Sequence, residues 1–326
     1  MTNSKQIIAM IRSHAAGDSQ QFFSIAEHIA SDAHKSGKNK VAGEIRDIVT
    51  RAKDHAARNE AAAAIPLVTP RGELANLVRA SYPETKLSDV VLADDLRRRI
   101  ERLVREHQSA GALEERGLKP SRKFLFSGPP GTGKGMTAAA LAKELNLPLF
   151  TIMLDSVITK YMGETAAKLR LIFDAMNATR AVYFFDEVDA LAASRSMEND
   201  IGEARRMLNS FLQFLEDDQS RSVIIAATNH RSLLDAALFR RFHSAFVYAK
   251  PGIDEARRVI ANNLLAFDIS RMDWPKIDQV APKLSQADLV AAAEDAAREA
   301  VLDNQGVLTT ELMFRALQDR ANIQPN

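Results

Sequence analysis

Apolar residues at the start of the chain recur at helical spacing: Ile7, Ile8 and Ile11, then Phe22, Ile25, Ala26 and Ile29, then Ile45, Ile48 and Val49. They predict helices within residues 5–59, with SGKN at 36–39 separating the second from the third. AAAAIPLVTP (61–70) closes this region, because Pro66 and Pro70 cannot continue a helix and the stretch carries no charge. From Lys123 the texture changes. Short apolar runs, KFLFS (123–127), LFTIML (149–154), AVYFFD (181–186), SVIIAAT (222–228) and SAFVY (244–248), alternate with amphipathic helical patterns. Near-continuous apolar runs of this length belong to strands buried on both faces, so the pattern predicts an α/β fold: a parallel five-stranded sheet with helices on both faces. After Pro251 only helical patterns remain, as in 287–302, which predicts a small all-α module behind the sheet.

Composition narrows the function classes. With 326 residues the chain can bury a substantial core in two or three modules. Its 43 Lys and Arg nearly cancel 42 Asp and Glu, so no global positive field points to nucleic acid or a membrane as partner. Zero cysteines exclude a disulfide framework and Cys-ligated zinc. The apolar run at the N-terminus is too short for a signal peptide, and no stretch approaches the ~18 apolar residues of a membrane span. A soluble, cytoplasmic protein is expected. Four of the seven histidines lie before residue 60, but none pairs at i, i+4, so a helical metal site is not expected there.

The candidate chemistry sits at the ends of the apolar runs. After KFLFS comes Gly128-Pro129-Pro130-Gly131-Thr132-Gly133-Lys134-Gly135-Met136. Glycines let successive N–H groups face phosphate oxygens, the following helix adds its positive dipole end, and Lys134 supplies a mobile charge. The position that would bring a hydroxyl to Mg²⁺ is Gly135, and Thr137, about 200° further round a helix, points elsewhere. About fifty residues on, Asp186 and Glu187 follow a buried strand: Asp186 is suited to hold Mg²⁺ through its water shell, Glu187 to act as general base. An Asp-Glu pair alone commonly caps a helix; beside a phosphate loop it reads as catalytic. Asn229 closes the next apolar run, where its amide can orient a water. Arg240 and Arg241 end the pattern LLDAALFRRFH and can stabilise charge on a transferring phosphoryl group, or simply compensate a helix dipole. Lys160-Tyr161-Met162-Gly163 puts an aromatic residue beside an apolar one and a glycine.

Together these motifs resemble an AAA ATPase module over residues 87–321, close to the group that includes FtsH, katanin and spastin. GPPGTGK is similar to that family's Walker A, FFDEVDAL to its Walker B, AATN to its sensor 1, and LLDAALFRRF to the region ending in arginine fingers. KYMGET resembles its pore loop 1, in which Tyr161 would grip polypeptide. The resemblance implies a P-loop NTPase that binds ATP and Mg²⁺, forms a homo-oligomeric, hexameric ring, and remodels a polypeptide substrate. It divides the chain into a helical N-terminal adaptor domain (1–65), a linker (66–86), the nucleotide-binding domain (87–250) and a helical lid (251–326). Residues 1–65 resemble the adaptor domains of stand-alone bacterial AAA proteins, some of which work with a protease. A hydrolysis-impaired scaffold or sensor is the competing expectation, because of Gly135. Two further departures from the family pattern are His243, where Asp is usual, and Gln286, where Gly is usual.

Overall fold

The computed structural model describes residues 70–323 apart from 160–161, 192–199 and 231–238. Before them it describes only positions 26, 29–31, 34, 43 and 49, each helical, and it leaves the side chains of 162 and 200–206 undescribed. Contacts divide the chain into two units between Pro66 and Leu67, and the sheet and its helices belong to the second. The adaptor domain expected for residues 1–65 lies outside the described residues, those positions excepted.

The five apolar runs form strands: β2 (Lys123–Ser127), β3 (Leu149–Ile152), β4 (Val182–Phe185), β5 (Val223–Thr228) and β6 (Ser244–Val247). A sixth, β1 (Val78–Ser81), precedes them inside the segment expected as linker, so the sheet has six strands rather than five. The order is β1-β3-β4-β5-β2-β6; β2 to β6 are mutually parallel, and β1 pairs antiparallel with β3 at the edge, Val78 opposite Ile152. VRAS is too short and too polar to announce itself as a strand, and its place comes from the ladder it completes.

Alternation along the strands serves two cores. In β4, Tyr183 and Phe185 face α3 (Met162–Ala178) and α4 (Asp200–Asp217), packing with Leu169, Phe173 and Phe211. Val182 and Phe184 face the other way, in a core shared with α1 (Asp94–Gln108) and α2 (Lys134–Glu144). All four strand residues are buried, the two-faced burial that turns an alternating pattern into an apolar run. The lid is a separate all-helical core: α5 (Ile253–Asn263), α6 (Gln286–Asp303) and α7 (Thr310–Ile323) bury Ile260, Leu289, Ala293 and Leu317 together, with Val91 of the α/β layer joining them. Helix α6 starts on a capping box, Ser285 accepting from the Asp288 N–H and Asp288 accepting from the Ser285 N–H. Among the described residues, no helix is long and apolar enough to cross a membrane.

Candidate active site

Parallel strands deliver their C-terminal ends to one edge, and sheet register decides which residues meet there. Phe185 pairs with Ala226, and Ser127 with Thr228, so Gly128, Asp186 and Asn229 all start just beyond adjacent strand tips. The Gly128 N–H donates to the Thr228 carbonyl at 3.2 Å, holding the loop to β5.

The loop curls because its glycines do what other residues cannot. Gly128, Gly131 and Gly133 have φ of 155°, 71° and 92°. At Gly128 space also forbids a side chain, since an added Cβ would lie 2.2 Å from the Tyr248 carbonyl oxygen. Gly133 caps α2, which places the helix's free N–H groups and Lys134 at the loop. Gly135 differs: a Cβ there would meet Phe184 only at 3.8 Å, an ordinary contact, so the fold does not require glycine at this position.

Lys134, only 7% exposed, donates from Nζ to the carbonyls of Gly128 (2.7 Å) and Pro129 (2.8 Å) and to Asn229 Oδ1 (2.8 Å). Asn229 Nδ2 donates to Glu187 Oε1 at 3.3 Å, so one amide links the loop lysine to the candidate base. Glu187 itself has φ of 52°, a left-handed conformation rare for a residue with a side chain, and its N–H donates to Asp186 Oδ1 at 3.0 Å. Asp189, buried in the same turn, accepts from the Asn229 N–H at 3.4 Å and thereby braces the amide from below. FFDEVDAL contains this third carboxylate in plain view, yet only the meeting of β4 and β5 gives it a purpose.

The charges are tuned by this crowding. Burial lowers the pKa of Lys134, against the pull of Asp186, Asp189 and Glu187. The Asp186 carboxyl is raised, first by loss of water around it and then by repulsion from Glu187 and Asp189, in spite of the Glu187 N–H bond and Lys134. A cation placed here would relieve that repulsion. Thr137 offers nothing to such a cation: it is fully buried and its hydroxyl donates to the Gly133 carbonyl at 2.9 Å.

Beside the loop lies a cavity of about 600 Å³, lined among others by Ser88, Val91, Met136, Val259, Gln286 and Val290. It runs between the α/β layer and the lid. The lid also closes on the loop directly, the Ala287 N–H donating to the Gly131 carbonyl at 3.0 Å. These lid contacts escape sequence reasoning because the partners are more than 150 residues apart.

Arg240 and Arg241 are not brought to this edge. They precede β6, whose start pairs with the start of β2, so they sit at the opposite end of the strands from the loop. Arg241 pairs with Glu216 at 2.7 Å, and Arg240 is exposed with no hydrogen-bond or ion-pair partner among the described residues. His243 anchors this segment: its Nδ1 accepts from the N–H groups of Arg122 (3.0 Å) and Lys123 (3.3 Å), and its own N–H donates to the Lys123 carbonyl at 2.8 Å. Burial, then the charges of Lys123 and Arg122, lowers the His243 pKa and so favours the neutral ring this bonding needs. Lys160 and Tyr161 lie outside the described residues, as does the Met162 side chain; Gly163 is exposed in the first turn of α3.

The family described as "ATPase family associated with various cellular activities (AAA)" matches residues 124–248. The chain is 32% identical over 309 residues to an "Uncharacterized AAA family ATPase y4kL" of Sinorhizobium fredii, covering 94% of this chain and 92% of that protein. It is 32% identical to spastin of Xenopus laevis over 69% of this chain and 39% of that protein. To the proteasome-activating nucleotidase of Pyrococcus abyssi it is 30% identical over 63% of this chain and 54% of that one. The chain thus spans about half or less of the length of these last two. The crystal structure of the FIGL-1 AAA domain shares the fold, with a TM-score of 0.59 at 22% identity over 77% of this chain and 87% of that one.

Proposed function

We propose that this chain, which belongs to the AAA family of ATPases, binds and hydrolyses ATP as one subunit of a hexameric ring that remodels polypeptide in the cytoplasm. The observation that carries the reading is the Lys134–Asn229–Glu187 hydrogen-bond chain at the strand tips beside the glycine loop. It unites a phosphate-binding cation, a water-orienting amide and a base, none of which the sheet itself needs.

The residues fit the nucleotide. At Gly131 and Gly133 the side a Cβ would take faces the lid, Ser285 Oγ and Gln286 Oε1 lying 2.5 and 3.4 Å from those positions, so glycine lets the lid close on the phosphate loop. The adjacent cavity, partly apolar through Val91, Val259 and Val290, suits a base. Asp186 would hold Mg²⁺ through water, with no oxygen offered at Gly135. Such a cation supplies charge neutralisation on the phosphates. The chain's own groups do the rest. Asn229 fixes the Glu187 carboxylate, which takes the proton as a water oxygen bonds to the γ-phosphorus and the bond to the β-γ bridging oxygen breaks. Lys134 holds charge on the leaving ADP. Arg240 and Arg241, too far from their own loop, serve the site of the neighbouring copy. Tyr161 and its flanks Lys160, Met162 and Gly163 contact polypeptide in the central channel. A protease is the partner proposed for residues 1–65, and the likeness of the chain to a proteasome-activating nucleotidase is in keeping with a ring that works beside one.

Gly135 favours a second reading, a scaffold that assembles on ATP and turns it over poorly. The two separate on Gly135→Thr, which the open space at this position accommodates. Restoring the metal-binding hydroxyl is expected to raise steady-state phosphate release about tenfold or more, the worth of one good transition-state contact. An unchanged, near-zero rate in both proteins would favour the scaffold.

A further inference from the structure

Gln286 stands where the phosphate loop meets the cavity. Its amide lies over Gly133, where an added Cβ would be 3.4 Å from Oε1, and its Nε2 donates to the Val91 carbonyl at 2.9 Å. The same side chain lines the cavity together with Met136 and Val91. Its backbone is held on both sides, by the Ser285–Asp288 capping box and by the bond from the Ala287 N–H to Gly131. The amide is therefore oriented before any ligand arrives.

A nucleotide with its phosphates on the loop and its base in the cavity passes Gln286 with the portion between them, the sugar. A glutamine amide has two N–H donors and an acceptor oxygen. One N–H is spent on Val91, which leaves one donor and one acceptor, the complement of vicinal hydroxyls that each donate and accept. We propose that Gln286 reads the ribose hydroxyls of bound ATP and makes the lid discriminate against sugars that lack them. The proposal rests on the nucleotide-site reading above. It concerns a residue for which the AAA resemblance expects only glycine, with no side chain to perform the task.

Calorimetric titration with ATP and with 2′,3′-dideoxyATP, both in Mg²⁺, tests it. The unmodified chain should bind ATP about fivefold more tightly than the dideoxy nucleotide, the worth of one net hydrogen bond. Gln286→Met keeps length and removes donor and acceptor, and should bring the two affinities to within about twofold, the larger loss falling on ATP. Gln286→Ala gives the same comparison without a demand on packing. An undiminished preference in both variants overturns the proposal, as does no preference in the unmodified chain or tighter binding of both nucleotides by the variants. If the unmodified chain binds neither nucleotide, the nucleotide-site reading itself has failed, and the two failures are thereby told apart.

Discussion

Glu187→Gln is expected to bind ATP as tightly as the unmodified chain and to release phosphate about 10²–10⁴ times more slowly, the range for removing a positioned general base. Glutamine matches glutamate in shape, and its carbonyl oxygen can still accept from Asn229 Nδ2, so the hydrogen-bond chain to Lys134 survives. Only the capacity to take a proton from water is lost. Glu187 is also one of three described non-glycine residues with positive φ, and such a conformation persists where the surroundings impose it. Quenched-flow or steady-state phosphate release, beside nucleotide titration, reads both halves. Turnover within about threefold of the unmodified rate would remove Glu187 from the chemistry.

Lys134→Ala should act on binding instead. Its ammonium is nearly buried and holds three oxygens, those of Gly128, Pro129 and Asn229. A hydrogen bond to a charged group contributes about 1.5–3 kcal/mol, so loss of the phosphate contact should weaken ATP binding by about 100-fold. The same deletion frees Asn229 from one of its two side-chain partners and slackens Glu187, so turnover at saturating ATP should fall as well. A fluorescent ATP analogue titrated against both proteins, with thermal melts to confirm folding, makes the comparison. An affinity within about threefold of the original would show that the loop amides alone carry the phosphates.

Much of this architecture is written locally. The strands β2 to β5 could be read because burial on both faces makes each a nearly unbroken apolar run, whereas β6, at the sheet edge with Val247 exposed, is legible from the short run SAFVY alone. Asp186, Glu187 and Asn229 could be placed because they follow such runs at once, and Lys134 because its glycine loop does, and the register of β4, β5 and β2 brings them together. What could not be read depends on pairing over distance. Val78–Ser81 becomes a strand only beside Leu149–Ile152. Asp189 acquires its role only from the Asn229 N–H, and Gln286 only from Val91 and Gly133. Arg240 and Arg241 were legible as a charged pair, but their position at the far end of the strands follows from the parallel start of β6 beside β2. That topology sets the arginine pair at the opposite end of the strands from its own loop.

Gly135 acquires its meaning in the same way. The sequence shows a missing hydroxyl, and the structure shows that neither sterics nor backbone conformation calls for glycine there. Thr137 is committed to the Gly133 carbonyl and cannot take over. A cation bound here would rely on Asp186 and water, while the loop, Lys134 and Glu187 keep their arrangement.

The most direct test is steady-state phosphate release by the unmodified chain in ATP and Mg²⁺, alone and with an unfolded polypeptide such as casein. Saturable release above buffer, raised when the polypeptide is added, is the expected result. No release above buffer under either condition, with ATP demonstrably bound, would contradict a hydrolysing remodeller.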